Sequence, residues 1–360
     1  MDYRATRFTK PQSILLDLAR GLAAQLVLIG HAMSAEGLQN PKLLYQNLGV
    51  ATFFILSGLL VTHSVLSKPK DYGFTDYLIE RGARIFVPYV PAVAFIVICS
   101  VARTGGPTDP FTVIANLFML EDYPLFRYVS WFPEIDRVGN GRPLWSVAVE
   151  WWFYMAAASL YFARRLPAWS WVLIVPGLFV MFFNASVGAL GMVWIAGAVI
   201  AMLFFKLPRL HPTADALLFS AFALTAAYRL VLVQGNFYDL ELSLLLALTL
   251  VFGLKLVEGW NWLNRLEKPI AGLAAYSYTI YLTHYTVMSA VTFSHGITRV
   301  LAVIIAANLV ALVMYWLFER HYRTVASALK SLKTRYSVRH QERSGEVRDS
   351  HPLHDMDMRS

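Results

Sequence analysis

Apolar runs of roughly 20 residues recur along nearly the whole chain, and a run of that length crosses a hydrocarbon core of about 30 Å as a helix. The pattern predicts spans at 13–34, 46–66, 84–103, 142–163, 169–186, 187–205, 212–232, 238–257, 269–291 and 298–319. Helices are the natural form because lipid offers no partner to an unsatisfied backbone group. The expected fold is all-α, a polytopic membrane protein with about ten transmembrane helices. Residues 1–12 form a short N-terminal segment, and 321–360 form a polar tail of mixed charge, expected to be disordered. The segment 104–141 breaks the rhythm, because its apolar stretch from Phe111 to Leu120 is too short to span. It is expected to lie at the interface or re-enter. The loop after it, with Trp131, Glu134, Asp136 and Gly139 to Gly141, is long for a connector and able to cover a site.

Composition agrees with lipid as the solvent. Hydrophobic residues make up 57% of the chain and charged ones 15%, against about 25% charged in a soluble domain. The single cysteine, Cys99, excludes an internal disulfide and a cysteine-rich metal site, so no metal is expected. A net charge of +8 fits basic loops and a basic tail, not a nucleic-acid partner. Arg4, Arg7 and Lys10 precede the first span, and every second loop is then basic: Lys68, Lys70 and Arg81; Arg164 and Arg165; Lys206 and Arg209; Lys255, Arg265 and Lys268; Arg320 and Arg323. Both termini are therefore expected in the cytoplasm. The first run is too long for a signal-peptide core and reads as the first span.

Ionisable groups inside spans are costly and mark functional interiors. The first span holds Asp17, Arg20 and His31. Eleven residues separate Arg20 from His31, which puts them on one face and about 16 Å apart along the axis. A snorkelling Arg20 and an interfacial His31 are the ordinary alternatives. In the second span, which contains Phe53-Phe54-Ile55-Leu56-Ser57-Gly58, the small residues Gly49, Ser57 and Gly58 favour close helix packing. Arg81 and Arg84, ahead of Pro88 and Tyr89, share a helix face at a basic mouth, where they anchor the span or clamp phosphates. Ser146, Glu150 and Tyr154 step by four along the fourth span after Pro143, Leu144 and Trp145, at the level of His31. Glu150 there would orient an imidazole, bind sugar hydroxyls or join two helices. The ninth span carries Ser277, Tyr278, Tyr281 and His284, and an aromatic belt is the favoured account of its tyrosines. His351 and His354 read as solvated tail residues.

Five motifs occur in one order: Arg20 and His31, Phe-Phe-Ile-Leu-Ser-Gly at 53–58, Arg81-x-x-Arg84 with Pro88-Tyr89, Leu-Trp-Ser-x-x-x-Glu at 144–150, and Tyr278-x-x-Tyr281-Leu-x-His284. Together they resemble the acyltransferase-3 family of membrane O-acyltransferases over about residues 10–320, with 13–320 as the transmembrane acyltransferase domain. The resemblance implies a bacterial inner-membrane enzyme that moves an acyl group, usually acetyl, from cytoplasmic acetyl-CoA to a hydroxyl of a surface or lipid-linked glycan. Acetyl-CoA is then a co-substrate, with no permanently bound cofactor. Membrane lipid and glycan-assembly proteins are the other partners it implies. His31 matches the family's essential histidine and Glu150 its acidic residue, which makes these two the catalytic candidates. Arg20, Arg81 and Arg84 match its donor-associated basic residues. Ser57, Trp145, Ser146, Tyr281 and His284 are expected to line the substrate pocket. The sequence departs from many members at Phe318-Glu319-Arg320-His321, where those continue with proline. A glycan or lipid-precursor transporter is the competing class, since polar residues at mid-membrane also suit a permeation path.

Overall fold

The computed structural model describes residues 7–40, 43–124, 134–183, 189–208, 210–232 and 239–349. Arg4, Trp131, Arg209, His351 and His354 lie outside the described residues. Helix α1 (Lys10–Ala35) begins at a capping box, in which Thr9 and Gln12 satisfy each other's backbone N–H, with Pro11 in the first turn. The Gln12 side chain also donates to the Leu254 carbonyl at 3.1 Å, which ties the start of α1 to the end of α9. The helices that follow are α2 (Tyr45–Leu66), α3 (Phe74–Thr104), α4 (Pro110–Leu117), α5 (Leu144–Phe162), α6 (Trp171–Phe183), α7 (Leu190–Leu203), α8 (Pro212–Leu232), α9 (Leu240–Leu256), α10 (Glu267–Ala275), α11 (Ser277–Ala290), α12 (Gly296–Leu317) and α13 (Tyr322–Asp349). No strand occurs among the described residues. The chain is an all-α, multi-pass membrane protein.

Among the described residues, six helices are long and apolar enough to cross a bilayer: α1, α2, α3, α8, α9 and α12. α6 and α7 are apolar but shorter. α5 falls outside that set because polar and aromatic groups interrupt it, and α10 and α11 because the break at Tyr276 leaves each too short. Most of α5 and most of α11 are buried by protein. The outer helices face the other way: Leu217 and Leu224 on α8 are each 71% exposed, and such apolar faces suit lipid.

Close contact between α2 and α7 depends on glycine. A methyl added at Gly58 would land on the Trp194 carbonyl oxygen, and one at Gly197 on that of Ile55. Small residues let two backbones touch where lipid supplies no hydrophobic drive between helices. Loop contacts gather the basic connections at one end of the bundle. Arg165 donates to the Lys70 carbonyl at 2.5 Å, Lys255 to that of Pro208 at 2.6 Å, and Lys10 pairs with Glu267 at 2.6 Å. At the other end, Arg299 pairs with Glu36, and Asn140 joins Arg103 to Ser289.

Two expectations change. The third span starts ten residues early, at Phe74, because Asp76 caps the Gly73 N–H at 3.3 Å and Tyr77 is fully buried. Arg81 and Arg84 thus sit well inside α3 and not ahead of it. The expected disordered tail is helical from Tyr322 to Asp349, and its first half packs on α3. Lys330 bonds Glu80 at 2.5 Å and Lys333 bonds Asp76 at 2.8 Å. The short helix expected near 111–120 is present as α4. Asn116 at its end is fully buried and holds the returning loop through the Asp136 carbonyl and the Val138 N–H.

Glu121, beside α4, is buried and accepts from the Tyr89 hydroxyl at 3.0 Å. Burial pushes its carboxyl up to about 8. An acid whose folded value lies above its unfolded one stabilises least at high pH: stability falls as pH rises from near 4.5 to about 8. Glu121→Gln should therefore gain thermal stability over the wild type progressively across that window; a pH-independent difference in melting temperature would contradict it. Gly58→Ala should cost about 1–3 kcal/mol by overpacking the α2–α7 seam, seen as a lower melting temperature in detergent.

Candidate active site

A cavity of about 690 Å³ opens at the end where the basic loops meet. Arg20 from α1, Ser57 and Lys68 from and just after α2, Glu80, Arg81 and Arg84 from α3, and Arg323 and Lys330 from α13 reach it. Six cations therefore face two carboxylates, Glu80 and Glu150. Some of that charge is already compensated. Arg20 pairs with Asp17 at 3.0 Å, and Glu80 accepts from Lys68 at 2.7 Å, Tyr72 at 2.8 Å and Lys330 at 2.5 Å. Arg81 approaches Glu80 only to 4.0 Å. The Nε of Arg20, the Nε of Arg81 and the Tyr278 hydroxyl are buried without a hydrogen-bond partner among the described residues. Buried donors left unmet are costly, so the chamber suits a polar or anionic ligand.

Arg84 is placed by Glu319, which is fully buried. The carboxylate accepts from Arg84 at 2.8 Å and from the Thr279 hydroxyl and N–H at 2.6 and 3.2 Å. That contact comes where the polypeptide breaks between α10 and α11, at Tyr276, with the Ser277 hydroxyl returned to the Ala274 carbonyl at 2.7 Å. Arg84 also lies over the rings of Tyr322 and Tyr278, at 4.8 and 5.6 Å. The reach of Glu319 to Arg84, 235 residues away, left no trace in the sequence.

A neck leads away from the chamber. Phe53, Glu150 and Tyr278 line both the chamber and a second hollow of about 30 Å³, bounded further in by Ser146 and Tyr281. Ser146 donates to the Pro143 carbonyl at 2.9 Å and is bonded to the Tyr281 hydroxyl. Ser57 donates to the Tyr154 hydroxyl at 3.2 Å and accepts from Trp194 at 3.1 Å, while Tyr154 donates to Glu150 at 2.6 Å. Both serine hydroxyls are thus committed to internal bonds. Trp145 is half-buried against the same core. The Tyr281 ring lies 5.4 Å from Phe53 and 6.1 Å from His284.

His284 and His31 meet at 2.9 Å, Nε2 to Nδ1. The Nδ1 of His284 faces the carbonyl oxygens of Ile280 and Tyr281, at 3.0 and 2.8 Å. A carbonyl only accepts, so that nitrogen carries hydrogen, and Nε2 of a neutral His284 holds a lone pair. The contact then requires His31 Nδ1–H to donate, which leaves His31 Nε2 as a free base with a fixed tautomer. Tyr285 packs edge-on to the His31 ring at 5.6 Å, and Arg142 in turn donates to the Tyr285 hydroxyl at 3.2 Å. Orienting the imidazole was one of the roles open to Glu150, but among the described residues no hydrogen bond or ion pair joins it to His31. His284 occupies that place, and Glu150 stands in the neck. The sequence puts Tyr281 and His284 on one span but gives no sign of the partner, because the pairing spans 253 residues.

The chain matches a family model described as an acyltransferase domain over residues 14–320. No curated protein and no solved structure matches it.

Removing one member of the buried Arg84–Glu319 pair should cost about 3–5 kcal/mol, because the other charge stays buried. Arg84→Ala with Glu319→Ala should be less destabilised than the sum of the single variants. Additive losses across this double-mutant cycle, read by thermal unfolding, would mean that the two charges act independently.

Proposed function

Because the chain belongs to the acyltransferase-3 family, and is therefore a membrane acyltransferase, we propose that it transfers an acyl group, acetyl by preference, from an acyl-CoA to a hydroxyl of a surface or lipid-linked glycan. The observation that carries the reading is a cationic chamber sharing Phe53, Glu150 and Tyr278 with a second hollow that ends at Tyr281, whose ring lies 6.1 Å from His284 of a histidine pair that leaves one imidazole nitrogen free. The end where basic loops meet is the cytoplasmic one on this reading, with both termini there, in an inner membrane. A CoA thioester, made in the cytoplasm, brings its phosphates to that mouth. Arg81 and Arg20, whose Nε atoms are unmatched, meet them through charge-assisted hydrogen bonds. Arg84, already bound to Glu319, adds field more than a new bond.

The pantetheine arm then follows the neck, where Glu150 accepts from an amide N–H, and the thioester reaches His31. The acceptor hydroxyl comes from the opposite end. His31 Nε2 takes its proton as the oxygen attacks the thioester carbon; the C–S bond breaks and the thiolate takes up the proton. His284 accepts from His31 Nδ1–H throughout, so the imidazolium formed in the step is held and oriented. Direct transfer fits better than an acyl-serine intermediate, because Ser57 and Ser146 lack a neighbouring base and already donate elsewhere.

The test is the O-acyl content of the host's surface glycans in a deletion strain complemented with wild type, His31→Ala or His284→Ala at matched membrane expression. Wild type should restore an ester, His31→Ala should lower transfer about 10²–10⁴-fold, and His284→Ala should fall between them. Equal restoration by wild type and His31→Ala would remove His31 from the chemistry. With purified protein, Arg81→Ala should raise the acyl-CoA KM more than it lowers kcat.

A further inference from the structure

The C-terminal helix lies beyond the matched domain, which ends at residue 320, yet Tyr322, Arg323, Ser327 and Lys330 line the chamber. We infer that α13 is one wall of the acyl-donor site, with Arg323 and Lys330 binding the phosphate groups of the CoA nucleotide. The inference rests on the acyl-CoA reading above and adds a part of the protein to it.

The argument is one of charge and placement. Arg323 is exposed, lines the chamber and has no carboxylate partner among the described residues; its Nε donates only to the neighbouring Tyr322 hydroxyl at 3.0 Å. Lys330, two turns further on, lines the same wall and bonds Glu80. Glu80 serves Lys68 and Tyr72 as well, so it neutralises one of two ammonium groups, and one positive charge remains at the mouth. The helix is docked independently of these groups through Lys333 and Asp76 at 2.8 Å, outside the chamber lining. A positive wall held in place by a separate contact, opposite arginines with unmatched Nε atoms, suits a ligand with several phosphate oxygens.

Titration of CoA into full-length protein in nanodiscs of zwitterionic lipid, where no anionic headgroup competes, tests this. Arg323→Ala with Lys330→Ala should weaken CoA binding about 10- to 100-fold, the effect of losing one or two charge-assisted bonds. The swap Arg323→Lys with Lys330→Arg should restore most of it, and Lys333→Ala should leave it unchanged. Equal affinity in wild type and the double alanine variant overturns the inference and leaves the donor reading intact. Loss without rescue by the charge-preserving swap, or equal loss in Lys333→Ala, gives α13 a scaffolding role and also overturns it. Failure of the wild type to bind CoA overturns the donor reading itself.

Discussion

The buried carboxylate of Glu319 fixes more of this bundle than any other single group. A charge that deep in protein and lipid persists only when it is paired and fully bonded. Glu319 meets that demand with the Arg84 guanidinium on one side and the Thr279 hydroxyl and N–H on the other. The three contacts join the end of α12, the interior of α3 and the first turn of α11. From that turn the helix carries Tyr278, Tyr281 and His284 in succession toward the far end, so one ion pair sets the register of the neck and of the histidine pair.

Polarity is layered along the bundle accordingly. Guanidinium and ammonium groups occupy the end where the basic loops gather, tyrosines and Glu150 the middle, and imidazoles the region beyond. The helices that hold these groups are sheathed by more apolar ones, of which α8 is the most exposed. The cost of polar groups in a membrane is thereby confined to an interior in which most of them find partners.

Long apolar runs were legible because lipid imposes length: the predicted span 212–232 coincides with α8, and 46–66 lies within one residue of α2. The family was legible from five spaced motifs. Features made by tertiary contact were not. The break at Tyr276 has no proline or glycine to announce it and arises where Glu319 takes the Thr279 N–H. The early start of α3 hides in an amphipathic stretch whose charges, Asp76 and Glu80, are answered by α13, itself too polar to suggest a packed helix. Glu150 was read onto one face with Ser146 and Tyr154, and Tyr154 bonds it; which group faces it across the bundle stayed open, because helical periodicity orders one helix and says nothing of its partner.

The glycine seam between α2 and α7 also bears on how the interior opens. Two backbones in contact through Gly58 and Gly197 cannot slide without collision, and Gly49 also brings α2 close to the Ala23 carbonyl on α1, where an added methyl would sit at 2.6 Å. Helix α2 is thus clamped on two sides, and Phe53, on that same helix, stands at the neck. Widening of the passage then falls to rotation of the Phe53 and Tyr281 rings, a rotamer event, and not to the slower rocking of one bundle half against another. The passage behaves as a turnstile of rings set in a rigid frame.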